Sequence, residues 1–131
     1  MTERELKQRA RKFAVEILNF VDKLPNRRSA NIIGNQLGRC ASSVASNYRA
    51  ACRARSHAEF ISKIGVVEEE ADESVFWLDV LPDTDNSTSE LVVPLLNEAR
   101  ELTAIFTAAS KTQNKTEKIS QFPNSKISKS K

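Results

Sequence analysis

Apolar residues recur along this chain in alternating steps of four and three, with polar residues between them. That spacing places them on one face of a helix, so each such stretch predicts a helix packed in a bundle. The first stretch begins behind a capping-box pattern formed by Thr2 and Glu5, and it stops at Pro25. Its apolar face consists of Leu6, Ala10, Phe13, Ile17, Phe20 and Leu24.

The second predicted helix, about Arg28 to Arg55, carries two stripes instead of one. The apolar stripe consists of Ile33, Leu37, Cys40, Val44, Asn47 and Ala51. The other stripe consists of the small residues Ala30, Gly34, Gly38, Ser42 and Ala45. Glycine inside a helix costs about 1 kcal/mol relative to alanine, so two glycines on one face indicate that another backbone packs closely there. That backbone belongs either to this chain or to a second subunit.

One polar residue, Asn47, interrupts the apolar stripe of the second helix. A buried amide needs hydrogen-bond partners, and in helical bundles such a residue commonly fixes register and assembly state. We therefore interpret Asn47 as structural. The predicted helix-packing or oligomer contacts are Gly34, Gly38, Ser42, Ala45 and Asn47.

Two further capping-box patterns, starting at Ser56 and at Ser87, predict a third and a fourth helix. The apolar face of the third is Phe60, Ile64, Val67, Ala71, Val75 and Leu78, and that helix ends at Leu81. The apolar face of the fourth is Leu91, Leu95, Glu98, Leu102, Ile105 and Ala109. Pro94 lies inside the fourth helix, which either kinks there or begins its regular part at about Val93.

Four such helices with short connections predict an all-α fold, an antiparallel up-down four-helix bundle formed by residues 1–112. A chain of 131 residues with 40% hydrophobic content suits one domain with a core of its own. Residues 113–131 are rich in Lys and Ser and poor in apolar side chains, and they predict a flexible, disordered basic tail.

Charge is segregated along the chain. The stretch from Lys23 to Ala58 holds seven basic residues and no acid, whereas Glu59 to Glu90 holds ten acids and the single base Lys63. Such blocks indicate a charged interaction surface or a pairing of the two blocks.

Pairing between the two blocks is possible because the second and third helices are predicted to be antiparallel neighbours. That arrangement brings Arg53 level with Glu59, and Arg39 near Asp72 and Glu73. One interpretation is therefore that the basic block is neutralised within the bundle, and the other is that it stays open to a partner.

The chain lacks the residues of common catalytic and cofactor sites. Its single histidine, His57, has no Glu three residues before it, which excludes a di-iron carboxylate centre. No glycine-rich phosphate-binding loop occurs. Glu68, Glu69 and Glu70 are consecutive on a helix, so their side chains diverge and do not converge on one metal ion. We expect no catalytic residue, no metal and no cofactor, and therefore a binding function.

Cysteine usage predicts a cytoplasmic protein. Cys40 and Cys52 are twelve residues apart in one predicted helix, about 18 Å along its axis, too far for a disulfide between them. The chain shows no Cys-x-x-Cys pair, no charged and then apolar leader, and no apolar run of membrane-spanning length. We expect no membrane contact.

Arginines on and beside the second helix are the candidate nucleic-acid contacts. They are Arg27, Arg28, Arg39, Arg49, Arg53 and Arg55. Guanidinium groups on a rigid helix bind phosphate in bidentate fashion, and the neighbouring Tyr48 is placed to stack on an unpaired base. The sequence therefore predicts RNA or another nucleic acid as partner. The alternative is a protein-protein interaction scaffold, in which the basic and acidic blocks meet each other.

The segment 39–56, RCASSVASNYRAACRARS, followed by AEFISK at 58–63, EEADE at 69–73 and Trp77-Leu78, resembles the bacterial 23S rRNA intervening sequence proteins. The accessory variability determinants of diversity-generating retroelements are similar to the same family. The likeness runs from about Phe13 to Thr112. The chain departs from the pattern at Ala50, where such proteins often carry Glu, and at Cys40, where a small hydroxyl residue is frequent.

The resemblance implies an antiparallel four-helix bundle that assembles as a ring-shaped homopentamer and has no catalytic activity. For the retroelement branch it implies a basic surface that contacts nucleic acid and a reverse transcriptase. The alanine at position 50 removes a carboxylate beside Arg49 and Arg53, which leaves that surface more basic.

Overall fold

The computed structural model of the protein describes the backbone of residues 1–121 and the side chains of residues 1–112. Its α-helices are α1 (Glu3–Asp22), α2 (Arg28–Cys52), α3 (His57–Thr84) and α4 (Val92–Gln121), with a single 3-10 turn at Asn86–Thr88. No strand occurs in the described backbone. The prediction of an all-α four-helix bundle is confirmed.

The helices follow one another around a common core. Each helix packs against the next one along the chain, and α1 also contacts α4, which closes the bundle. The largest side chains removed from solvent come from all four helices and include Phe13, Ile17, Leu37, Ile64, Leu78, Leu102 and Phe106. These are positions of the predicted apolar stripes, except Phe106, which lies one residue beyond the predicted Ile105. The four-three spacing therefore identified the buried faces of α1, α2 and α3. On α4 only Leu102 of the predicted positions is buried, and the buried face consists of Val92, Ala99, Leu102 and Phe106.

Capping explains where the first and third helices start. The Thr2 hydroxyl accepts the amide of Glu5 at 3.1 Å, and the Glu5 carboxylate accepts the amide of Thr2 at 2.9 Å. The Ser56 hydroxyl accepts the amide of Glu59 at 3.0 Å in the same way. The amides of Glu5 and Glu59 are among those that a helix start leaves without a backbone partner. The capping side chains therefore fix the first turn of each helix.

The predicted third capping box is wrong. Asp85 accepts the amide of Ser87 at 3.1 Å and forms a 3-10 turn, so the residues expected to start the helix belong to the turn before it. The helix α4 begins at Val92, which is buried, whereas the predicted Leu91 is 61% exposed. Pro94 is thus its third residue, where a missing N–H breaks no bond. The alternative that the regular helix starts near Val93 is the one observed.

The two glycines of the small-residue stripe of α2 pack against side chains from α1 and the residues just after it in the same chain. A Cβ added at Gly34 would lie 3.0 Å from Cγ1 of Val21 and 3.6 Å from Cδ1 of Leu24. One added at Gly38 would lie 3.4 Å from Cδ2 of Leu18. The missing side chains of Gly34 and Gly38 therefore leave room for Val21 and Leu18 of α1. The backbone that packs closely at these glycines belongs to this chain, which was one of the two alternatives.

Asn47 is half-buried, and its amide group is satisfied inside its own helix. Its Nδ2 donates to the carbonyl oxygen of Ser43 at 3.0 Å and to the Ser43 hydroxyl at 2.8 Å. Within the described side chains these bonds join residues one turn apart, so they stabilise the α2 surface and link it to no second helix.

None of the described helices is both long and apolar enough to cross a bilayer. The backbone of α4 continues to Gln121, nine residues past the predicted end of the bundle at 112. The predicted tail, 113–131, lies outside the residues whose side chains are described.

Candidate nucleic-acid interface

A groove of about 820 Å³ runs between the first half of α1 and the second half of α2. Three bases of α1, Arg4, Lys7 and Arg11, line it at helical spacing, and Arg49 lines it from α2. Residues three and four apart share one helix face, so the α1 bases form a row beside the helix they pack against. The predicted contact residues Ser42 and Ala45 also line this groove.

Arg49 also borders a second hollow, of about 420 Å³, at the end of α2. Arg53, Arg55 and Lys63 line this hollow together with Glu59, whose carboxylate accepts the backbone amide of Arg55 at 3.0 Å. The two hollows are continuous through Arg49. We call their shared surface the basic groove, and define it by Arg4, Lys7, Arg11, Arg49, Arg53 and Arg55.

The six side chains of the basic groove form no ion pair with any residue in the described range 1–112. Arg9, Arg27 and Arg39, by contrast, form ion pairs with acids of the bundle. The guanidinium of Arg9 holds Glu98 at 2.7 Å and Glu101 at 2.5 Å, which ties α1 to α4. Six cations without an ion-pair partner in the described range therefore lie on one side of the bundle, where α1 meets the second half of α2.

Arg39 was predicted at the nucleic-acid site, but it is engaged with the acidic block of its own chain. It lies 2.9 Å from Glu73 and 3.2 Å from Glu70. Burial opposes ionisation of Glu73, yet the bonds from Trp77 and Arg39 outweigh it and hold the pKa of this carboxyl below its usual value. Pairing across α2 and α3 was expected, but Glu70 takes the place predicted for Asp72.

The remaining predicted arginines divide between the two ends of α2. Arg27 lies 3.6 Å from Asp85 and, like the exposed Arg28, sits at the start of the helix. At about 1.5 Å per residue, Arg28 lies about 31 Å along α2 from Arg49, the nearest arginine of the basic groove. The structure therefore groups Arg49, Arg53 and Arg55, and it separates them from Arg27, Arg28 and Arg39. The expected pairing of Arg53 with Glu59 does not form among the described ion pairs.

The expectation that Tyr48 stacks on a base is wrong. Its ring is 7% exposed and packs on Phe106 with 5.3 Å between ring centroids. Burial raises the pKa of its hydroxyl. Tyr48 follows Val44 by four residues and precedes Ala51 by three, so the apolar period itself placed it in the core.

The profile of the 23S rRNA-intervening sequence protein family matches residues 2–108, a range that includes the whole basic groove. The chain belongs to this family. The resemblance inferred from the α2 segment is thereby confirmed.

A solved structure shows the same fold. It is the crystal structure of a protein with unknown function from the S23 ribosomal protein family of Bacteroides thetaiotaomicron VPI-5482, with 30% sequence identity and a TM-score of 0.77. The likeness covers 85% of this chain and 99% of that one. No match to this chain is found among curated proteins.

One cluster in this member of the intervening sequence family has the composition of a metal site. Ligand atoms of Cys40, Glu70 and Glu73 lie within 4.8 Å of one another. Arg39 occupies the cluster, however, because it pairs with both carboxylates and its Nη2 lies 3.2 Å from the Cys40 sulfur. Burial raises the pKa of the Cys40 thiol to about 12, so at neutral pH it stays protonated and is a poor ligand. The cluster is an ion-pair network between α2 and α3, in which one guanidinium holds two carboxylates.

Sequence reasoning missed half of the basic groove. Arg4, Lys7 and Arg11 recur in steps of three and four, which is the signal that would have found them. They were hidden because Glu3 and Glu5 alternate with them along the chain. Glu5 turns back to cap the amide of Thr2, whereas Glu3 lies one helical turn before Lys7 and near Cys52 of α2, so the local net charge concealed the basic row.

Proposed function

We propose that this protein is a non-catalytic accessory factor that binds RNA or other nucleic acid through the basic groove. The observation that carries the proposal is the set of six cations on one surface of α1 and α2 that lack ion-pair partners in the described chain. Unpaired positive charge attracts phosphates and releases their counterions, which supplies most of the affinity in such complexes.

The chemistry of the basic groove suits phosphate. Five of its six cations are arginines, and a guanidinium makes two parallel hydrogen bonds to one phosphate. The core holds both helices in place, so little order has to be imposed on the protein when it binds. By contrast, Arg39 would first have to leave Glu70 and Glu73.

The test is a fluorescence-anisotropy titration of a labelled, structured RNA at several salt concentrations. With six phosphate contacts, the affinity should fall by about three orders of magnitude between 50 and 200 mM salt. The variant Arg39→Ala should bind like the parent, because Arg39 is held by its own acidic partners. No binding at the lowest salt, or an affinity that salt leaves unchanged, would contradict the proposal.

Self-assembly belongs to the same proposal. Val15 and Leu18 share one face of α1 and are 42% and 44% exposed, and Phe76 on α3 is 54% exposed. Exposed large apolar side chains favour a covering partner, and a second copy of this chain is the simplest one. A pentamer and a reverse-transcriptase partner, which the family resemblance implies, stay predictions.

The scaffold alternative rests on the acidic face of α3. Glu70 and Glu73 are neutralised by Arg39, and Glu68 accepts the Thr107 hydroxyl at 2.9 Å, but Glu69 and Asp72 form no ion pair among the described residues. Light scattering with and without RNA separates the two ideas. Particles larger than the 14.6 kDa chain whose mass does not change when RNA is added would favour a scaffold. A monomer would contradict self-assembly.

A further inference from the structure

We infer that the basic groove recognises the phosphates of a double helix and not the bases of an unpaired strand. This inference rests on the proposed function and narrows its substrate class. The chemistry that it invokes, two phosphate backbones held at fixed separation, is common to duplex RNA and duplex DNA.

No aromatic side chain lines the basic groove within the described residues. Proteins that hold single strands without sequence preference gain about 1–3 kcal/mol per base by stacking bases on aromatic rings. Tyr48, the aromatic neighbour of Arg49, is packed on Phe106 in the core and is not available. An unpaired strand that binds here would therefore lose conformational entropy, and no base stacking on aromatic rings would offset that cost.

The cations are arranged in two rows. On α1 the row from Arg4 to Arg11 spans about 10 Å, and the step from Arg49 on α2 to its C-cap residue Arg53 spans about 6 Å, at about 1.5 Å per residue. The two rows stand on helices whose packing is fixed by close approach at Gly34 and Gly38. A rigid array of charges suits a rigid array of phosphates, and a duplex carries about one charge per 1.7 Å of its length.

Few side chains of the basic groove are suited to reading nucleobase edges. Besides its arginines, its lysine and its alanines, the larger hollow is lined only by Gln8, Ser42 and Ser46. Contacts from arginine and lysine to phosphates fix position on a duplex but carry no sequence information. Binding should therefore depend on the presence of a duplex and little on its sequence.

The experiment compares three labelled probes with equal numbers of phosphates: an RNA hairpin, a DNA hairpin and an unstructured polyuridylate strand. Each is titrated with the full-length protein at the same low salt. We expect both hairpins to bind at least about tenfold more tightly than the strand, which corresponds to about 1.4 kcal/mol. Scrambling the stem sequence should change the affinity by less than about threefold, because phosphate contacts dominate.

Different failures have different meanings. If the strand binds as tightly as the hairpins, or more tightly, the preference for a duplex is refuted while nucleic-acid binding stands. If no probe binds at low salt, the proposed function fails and this inference fails with it. A gap of tenfold or more between two stem sequences would also overturn it, because phosphates alone do not discriminate sequence.

Discussion

Replacing Arg4, Lys7, Arg11 and Arg49 together by glutamine is expected to weaken the binding of an RNA hairpin by about a thousandfold at 0.1 M salt. Each phosphate contact on a duplex contributes about 0.9 to the slope of log affinity against log salt. Four lost contacts should therefore lower that slope by about 3.6. Anisotropy titrations of parent and variant over a salt series measure both effects.

The matched control removes the same charge from other surfaces. Lys12, Lys23, Arg28 and Arg100 are exposed and lie outside the basic groove. Their combined change to glutamine should lower the affinity by less than about tenfold, since only the long-range field is altered. Equal losses in the two variants would show that net charge, and not this surface, drives binding. Circular dichroism verifies that both variants retain their helices.

The second large effect is on stability. Phe106→Ala should lower the free energy of unfolding by about 3–5 kcal/mol, because it removes a fully buried ring and leaves a cavity beneath Tyr48. The matched change Phe76→Ala removes the same side chain at a position that is 54% exposed, so it should cost about 1 kcal/mol or less. Urea denaturation followed by circular dichroism compares them, and similar losses would contradict the assigned core.

These two predictions are physically connected. The contact between Tyr48 and Phe106 holds the second half of α2 against α4, next to Arg49 in the sequence. Loosening it should let the rows of cations on α1 and α2 move relative to each other. Tyr48, which the sequence suggested as a base-stacking residue, is thus expected to affect binding only by holding Arg49 in position.

Much of the fold could be predicted because apolar spacing is a local signal that tertiary packing reinforces. Residues such as Phe13, Leu37, Ile64 and Leu102 are buried as their spacing requires. The start of α4 could not be predicted so well, because Asp85 and the hydroxyl residues after it bond into a turn that competes with a helical cap.

The candidate site was predictable only in part. Arg49, Arg53 and Arg55 stand close together because they are close in sequence, whereas the row on α1 joins them only through the packing of two helices. For Arg39 the sequence left two alternatives open, pairing with α3 or binding a partner, and its ion pairs with Glu70 and Glu73 depend on the exact rotation of α3. Charge patterns identify which residues can bind a phosphate, but packing decides which of them remain unpaired.

The most direct test of the central claim is a lysine-acetylation footprint, read by mass spectrometry, with and without a bound RNA hairpin. Lys7 lies in the basic groove, whereas Lys12 is on the same helix, highly exposed and outside it. Our account predicts that RNA protects Lys7 and leaves the reactivity of Lys12 unchanged. Protection of Lys12 with no change at Lys7 would contradict it.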